Sequence, residues 1–341
     1  MDISSMTLAE LERFVLAAGE KKYRAKQIFE WIHNKHVRNF SEMTNLSEKF
    51  RIFLQSEHNL EQVEIEKKYE SLENDVRKYL LKMPKDTIIE SVLMNYSFGH
   101  SICVSSQAGC AMGCAFCRSG EDGFFRNLSA YEILAQVYRV CEDAGTRVNN
   151  IVIMGSGEPL HNFENVVKFI EIVSHELGLD IGGRHITLST CGIVPKIYEL
   201  ADLRLQINLA LSLHASNDDI RRKNMPVANI YSMEETLEAC DYYAKTTGRR
   251  ITYEYALVKD VNDAKESAVE LGQKLKGRLA HVNLIPVNKT GESFKSPDKK
   301  NIQTFYETLM KLGISVSVRR ELGSDIAAAC GQLKSEYMST R

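Results

Sequence analysis

No apolar run in this chain of 341 residues approaches the roughly 20 needed to cross a membrane as a helix. The opening stretch "MDISSMTLAELERFVLAAG" carries acidic residues where a signal peptide would be basic. Both absences point to a cytoplasmic protein with no membrane partner. An excess of charge is missing too: 43 Lys and Arg stand against 45 Asp and Glu, a net −2, which excludes a strong nonspecific affinity for nucleic acid. We find no 20–50-residue repeat, low-complexity tract or Gly/Ser linker, so the domain boundary near Tyr96–His100 is soft. The cysteines lack a second pair. Cys110, Cys114 and Cys117 cluster, while Cys103, Cys141, Cys191, Cys240 and Cys330 stand alone. That distribution is neither the framework of a small secreted domain nor the two spaced pairs of a structural zinc site.

What is present suits a sizeable core: 44% of residues are hydrophobic and 26% charged. The length predicts one large domain and a smaller one. Helical periodicity runs over 7–18 and 24–35, followed by strand-like "RKYLLKM" and "IIESVLMNY". From Ile102 onward, β-rich runs ("ICVSS", "NNIVIM", "HITLST", "QINLALS", "RITYEYALV", "AHVNLIP", "ISVSVRR") alternate with helical stretches. Ser129 with Glu132, and Ser232 with Glu235, form capping boxes that mark two helix starts. The alternation predicts an α/β fold with parallel strands, a full or partial (β/α) barrel in preference to a doubly wound sheet. The expected division is an N-terminal helical domain with a strand extension over 1–95 and the barrel over 96–341.

Ligands of such barrels sit in the loops after the strands. Several unusual residues fall there: the cysteine cluster after "ICVSS", "GSGEPLHN" after "IVIM", Ser189–Cys191, Ser212–His214 and Asn288. Three thiolates suit a cubic iron–sulfur cluster with one open iron. His100 or Cys103 as a fourth ligand keeps a zinc site open. Between Gly19 and Phe40, six Lys or Arg stand against Glu20 and Glu30 with Trp31 and other aromatics interleaved. This segment reads as a phosphate-facing surface or as a solvated helix face over Ile28, Phe29 and Ile32.

C-x3-C-x2-C, with Phe116 just before its last cysteine, resembles the signature of the radical S-adenosylmethionine enzymes. That resemblance implies a [4Fe–4S] cluster on Cys110, Cys114 and Cys117, with S-adenosylmethionine on the fourth iron. Reductive cleavage would then give a 5′-deoxyadenosyl radical. In this setting Gly155 and Gly157 would let the backbone approach closely, and Glu158 would pair with the cofactor ammonium.

"CVSSQAGCAMGCAFC", "GFFRNLSAYEI", "STCGIVPKI", "SLHASNDDIRRKNMPV", "EYALVKDVND", "HVNLIPVN" and "DIAAACGQL" are similar to the RlmN/Cfr family of RNA adenine methyltransferases. The similarity covers nearly the whole chain, and "YRAKQIFEWI" resembles that family's small helical RNA-binding domain. What it implies is methylation of carbon 2 of an adenosine in 23S rRNA, with tRNA as a further substrate, using two S-adenosylmethionines per turnover. Cys330 would take a methyl group from the first. The radical from the second would strip a hydrogen from that methyl, and the methylene would add to the ring. Cys103 would free the product through a transient disulfide, and Glu90 would accept the ring proton. Gly157, Glu158, Ser189, Ser212, Leu213, His214 and Asn288 would contact the cofactor, a flavodoxin or ferredoxin would supply electrons, and the enzyme would act as a monomer.

Plainer readings stand beside these. A lone cysteine among alanines, as at Cys330, is usually a small buried hydrophobe, a strand glutamate such as Glu90 usually faces solvent, and strand-end serines often cap turns. Cys141 and Cys240 fall in helical patterns and read as core; Cys191 matches no role. Methylation at carbon 8, as in the Cfr branch, uses the same cysteines, although "GEPL" with Pro159 and "STCGIVP" look more like the carbon-2 branch. A noncatalytic, metal-stabilised RNA-binding protein is the reading from another class. Two departures from the family pattern, Arg118 and Lys289, bear on how RNA docks.

Overall fold

The computed structural model describes residues 2–73, 75–84, 87–97, 99–121, 123–287, 295–319 and 322–328. Three helices open the chain: α1 (Leu8–Ala17), α2 (Tyr23–His33) and α3 (Glu48–Glu57). An antiparallel run follows, β1 (Glu64–Glu70), β2 (Val76–Met83), β3 (Thr87–Tyr96) and β4 (Gly99–Cys103), and then a small hairpin of β5 (Gln107–Gly109) and β6 (Phe124–Asn127). The alternating part comprises α4 (Ala130–Ala144), β7 (Asn150–Ile153), α5 (Phe163–Val173), β8 (Ile186–Thr190), α6 (Val194–Asp202) and β9 (Asn208–Ser212). It continues through α7 (Asp218–Asn224), α8 (Met233–Thr247), β10 (Ile251–Leu257), α9 (Lys265–Leu275), β11 (Ala280–Pro286), α10 (Lys299–Lys311) and β12 (Ser315–Val318).

One ten-stranded sheet runs in the order β1-β2-β3-β4-β7-β8-β9-β10-β11-β12. The pairings from β1 to β4 are antiparallel; those from β4 to β12 are parallel. Parallel strands need crossovers, and helices supply them, leaving strands such as β9 and β10 buried on both faces. Ser101 of β4 and Ser317 of β12, from opposite ends of the parallel set, line one open cavity of about 1160 Å³. The sheet therefore curls into a partial (β/α) barrel, as the alternation predicts. The antiparallel strands β1–β3 extend it at one edge.

Both expected capping boxes form, at Ser129/Glu132 and Ser232/Glu235. Another, Thr7 with Glu10, starts α1. Helix α4 is buried at every position from Ala130 to Val140, because the N-terminal helices cover the side that faces away from the sheet. His33 Nδ1 lies 3.0 Å from the Tyr138 hydroxyl, the Tyr131 amide donates to Ser5 Oγ at 3.0 Å, and Lys168 of α5 pairs with Glu10 at 2.7 Å.

Gln136, buried in α4, sets the strand that leads to the cysteines. Its Oε1 accepts from the Ser105 amide (2.8 Å) and from Ser91 Oγ of β3 (2.7 Å), and its Nε2 donates to the Ser105 carbonyl (2.8 Å). Ser105 Oγ in turn donates to the Glu90 carbonyl at 2.7 Å and accepts from the Ser156 amide at 2.9 Å. Helix, extension strand and two strand-end loops are thereby locked to one another.

Candidate active site

The cysteine loop leaves the barrel through the β5–β6 hairpin. Gly109, at φ +71°, carries no side chain for a concrete reason: a Cβ would lie 2.0 Å from the Gly123 carbonyl oxygen. The Cys110 amide donates to that same carbonyl at 3.0 Å. Further along, the Ala115 amide donates to the Asn224 carbonyl at the end of α7 (2.9 Å), and Phe116 meets the His214 ring edge-on at 4.7 Å. The aromatic before the last cysteine thus pins the loop to the end of β9. Met112, Cys114 and Phe116 pack on Cys191, Met225 and Val227.

Cys110, Cys114 and Cys117 line one cavity with Gly155, Gly157, Glu158, Ser189, Ser212 and His214, at the C-terminal ends of β7, β8 and β9. The seven described cysteines lie outside disulfides. Burial pushes the Cys110 thiol up to about 11 and the Cys114 thiol up to about 12, with the neighbouring cysteines adding to the effect. Unaided, the loop keeps these thiols protonated, so thiolates there need a cationic partner. Among the described residues no three His, Cys, Asp or Glu side chains converge to hold a single metal ion. Three thiols around a wider cavity suit a polynuclear cluster, which spreads its ligands over several ångströms. Buried Arg221 fits that expectation. Its Nη2 donates to the Cys191 carbonyl at 2.7 Å, and Nε and Nη1 meet no partner among the described residues. A buried cation with donors to spare, close enough for Cys114 to feel its charge, favours an anionic group in front of it.

Glu158 lines the cavity and also ties its walls together. Its Oε1 accepts from the Leu160 amide at 3.0 Å and its Oε2 from the Cys191 amide at 2.8 Å, while its own amide donates to Gln107. Burial raises its pKa even against those hydrogen bonds. The Thr190 and Cys191 side chains also hydrogen-bond to this carboxylate. The glycines beside it serve packing. A Cβ on Gly155 would lie 2.6 Å from Ser105 Oγ, and one on Gly157 (φ +102°) 2.5 Å from Gln107 Cβ. The close approach they permit is to the 104–107 segment.

Ser189 and Ser212 face each other at 3.4 Å between their hydroxyls. Leu213 is fully buried, and its amide and that of His214 both donate to the Glu254 carbonyl. His214 Nδ1 accepts from the Ala256 amide at 2.9 Å, so its proton resides on Nε2, and burial, with Arg221 adding to it, holds its pKa down at about 3. The imidazole is neutral. Asn288 and Cys330 lie outside the described residues.

Glu90 and Cys103 occupy the adjoining part of the sheet. In register, Cys103 of β4 sits opposite Val92 of β3, which sits opposite Lys78 of β2. Glu90 is two residues from Val92, so all four share one face, and Cys103 packs there with Val76, Val92 and Met94. Glu90 is 3% exposed and its carboxylate lies 3.3 Å from the buried Lys78 ammonium. The solvent-facing reading of Glu90 does not hold.

Sequence reasoning leaves other residues of this interior without a role. Cys191, singled out with Ser189 but matching no role, lines the cavity; Glu254 of β10, which the sequence reading does not single out, is buried there, accepting from Asn283 of β11 at 2.9 Å, which accepts from Ser317 at 3.2 Å. A lone carboxylate inside the apolar run "YEYALV" was the available signal. In the basic segment, Lys21, Lys22 and Lys26 are exposed, whereas Arg24 donates to the Asn45 carbonyl and to Gln27. Trp31 donates to Asn45 Oδ1, with the Lys35 ammonium 3.6 Å above its ring.

Comparison with known proteins gives this geometry a family. Residues 104–272 match the radical SAM superfamily, and residues 1–60 match the ribosomal RNA large subunit methyltransferase N-terminal domain. The chain is 54% identical over 341 residues to a probable dual-specificity RNA methyltransferase RlmN of Clostridium botulinum (strain Eklund 17B), covering all of this chain and 98% of that one. It is 51% identical over 336 residues to the protein of that name from Clostridioides difficile, covering 98% of each. The crystal structure of a radical SAM methyltransferase from Sphaerobacter thermophilus superposes with a TM-score of 0.91 at 40% identity, over 98% of this chain and 100% of that one. With its three-cysteine loop, partial barrel and N-terminal helices, the chain belongs to the RlmN family of RNA methyltransferases within the radical SAM superfamily.

Proposed function

We propose that this protein methylates carbon 2 of an adenosine in 23S rRNA, with tRNA as a second substrate, in the cytoplasm and as a monomer that draws electrons from a flavodoxin or ferredoxin. The observation that carries the reading is the convergence of Cys110, Cys114, Cys117, Glu158, Ser189, Ser212 and His214 on one cavity. Glu90 and Cys103 lie on one face of the strands beside it.

In this reading Cys110, Cys114 and Cys117 would hold the [4Fe–4S] cluster, and Gly157, Glu158, Ser189, Ser212, Leu213, His214 and Asn288 would hold S-adenosylmethionine. When bound, these groups supply a carbon-centred radical able to take hydrogen from an unactivated methyl group, which the electron-poor carbon 2 of adenine requires. The protein's own residues supply position and proton handling. His214, neutral and held by the Ala256 amide, presents an Nε2–H donor without adding positive charge. Cys330 carries the methyl group. Glu90, desolvated beside Lys78, receives the proton that carbon 2 gives up. Once the adduct has given up one electron to the electron-transfer partner, the Cys103 thiolate attacks the sulfur of Cys330. The S–S bond forms as the S–C bond breaks, the electron pair passes to the one-carbon unit, which takes up a proton to become the methyl group on adenine, and an external thiol reductant reopens the disulfide. The N-terminal lysines contact RNA phosphates.

Mass mapping of rRNA and tRNA from a deletion strain tests the reading. Loss of a 2-methyladenosine from 23S rRNA, restored by the wild-type gene, is expected. Loss of a carbon-8 methyl instead would assign the chain to the other chemistry.

A further inference from the structure

The last described segment, 322–328, does not belong to the parallel barrel alone; it docks on the antiparallel extension. Asp325 accepts hydrogen bonds from Ser71 Oγ at 2.8 and 3.0 Å on its two oxygens, and from the Leu72 amide at 3.0 Å. These partners form the turn between β1 and β2, more than 250 residues away in sequence. The buried Lys78 ammonium donates to the Ala327 carbonyl at 3.3 Å while it pairs with Glu90. Gly323 takes φ +68° where a Cβ would sit 3.0 Å from Val76 Cγ1 and from Ala328 Cβ. Its carbonyl accepts from the Ala328 amide at 2.8 Å, closing a tight turn. Ala328 then packs in the same small apolar cluster as Cys103.

Cys330 follows Ala328 by two residues, at most about 7 Å of extended chain. That chain length ties Cys330 closely to the anchor at 325–328. We propose that Asp325 is a positioning residue whose latch onto the Ser71–Leu72 turn, backed by the Lys78–Ala327 contact, holds the chain where Cys330 meets Cys103. This rests on the pairing of those two cysteines proposed above and adds what enforces it. It also gives the β1–β3 extension, which lies between the two family matches, a part in the reaction.

The test measures the effective concentration of Cys103 and Cys330 for one another in the reduced, cluster-loaded protein. The anaerobic holoenzyme is equilibrated with glutathione at a series of redox ratios, and the linked peptides are quantified by mass spectrometry. Each disulfide formed removes two electrons and two protons from the two thiols and converts one oxidised glutathione into two reduced molecules. Asp325→Ala is expected to lower the effective concentration about tenfold, equivalent to about 1.4 kcal/mol, with iron content unchanged. Equal values for wild type and Asp325→Ala overturn the latch while leaving the pairing intact. A wild type that forms no such linkage overturns the pairing, and the latch with it. If Asp325→Ala loses iron, Ser71→Ala, which removes the hydroxyl that donates to Asp325 and accepts from the Glu73 amide on an exposed turn, decides by the same comparison.

Discussion

Gln136→Leu replaces a buried amide by an apolar group of similar size, and its cost can be worked from the contacts. The Ser105 amide loses its acceptor and the Ser105 carbonyl loses its donor, both in a segment closed to water. An orphaned buried group costs about 1–3 kcal/mol, so the pair costs about 2–6 kcal/mol, against a typical total stability of about 5–15 kcal/mol. The Ser91 hydroxyl also loses its acceptor, but it can rotate. Urea unfolding of wild type and variant should show the midpoint fall with the slope unchanged. Ser91→Ala, which deletes one hydroxyl, should cost about 1 kcal/mol. Because Ser105 lies five residues before Cys110, the Gln136 variant should also take up less iron on reconstitution. A loss below about 1 kcal/mol with full iron uptake would refute the claim that this glutamine locks the site's walls.

Reversing the charge of Lys21, Lys22 and Lys26 together should weaken RNA binding and flatten the log–log salt dependence by up to about 2–3 units; an unchanged slope makes this a solvated helix face. Arg24 is left out because its bonds to Asn45 and Gln27 are structural. Acid should destabilise the fold through buried histidine. Burial holds His33 down at about 3, so as pH falls from about 6.5 toward 3 the unfolded chain takes up a proton that the folded chain refuses, and stability declines by up to about 1.4 kcal/mol per pH unit. Urea midpoints near pH 7 and pH 5 should differ less in His33→Gln than in wild type, and equal differences would place the acid sensitivity elsewhere.

The features legible in the sequence are those whose cause is local. A capping box spans four residues, so Ser129/Glu132 and Ser232/Glu235 announce α4 and α8. Alternation of apolar runs with helical stretches is enough to predict parallel strands, and the spacing of three cysteines to predict their chemistry. The features that stayed hidden depend on partners far along the chain. Nothing near Gln136 names Ser105 as its partner, and Asp325 meets a turn 254 positions away. Burial of Glu90 depends on Lys78 across a strand pair, which a strand read alone shows as an exposed charge. At Gly157 the structure adds a neighbour the sequence does not name: a Cβ there would lie 2.5 Å from Gln107 Cβ. The β5–β6 hairpin, with strands of three and four residues, is too short for periodicity to register.

The central claim is that Cys330 carries the transferred carbon and Cys103 releases the product, and Cys103→Ala tests it most directly. Methyl loading and addition to adenine need no second thiol, so both should proceed. Release should stall, since no thiolate remains to attack the sulfur of Cys330. The purified variant should carry RNA that survives denaturation, with a nucleotide mass on the peptide containing Cys330, and Cys103→Ala combined with Cys330→Ala should carry none. Normal turnover by Cys103→Ala, or a cross-link mapping to another cysteine, would contradict the account.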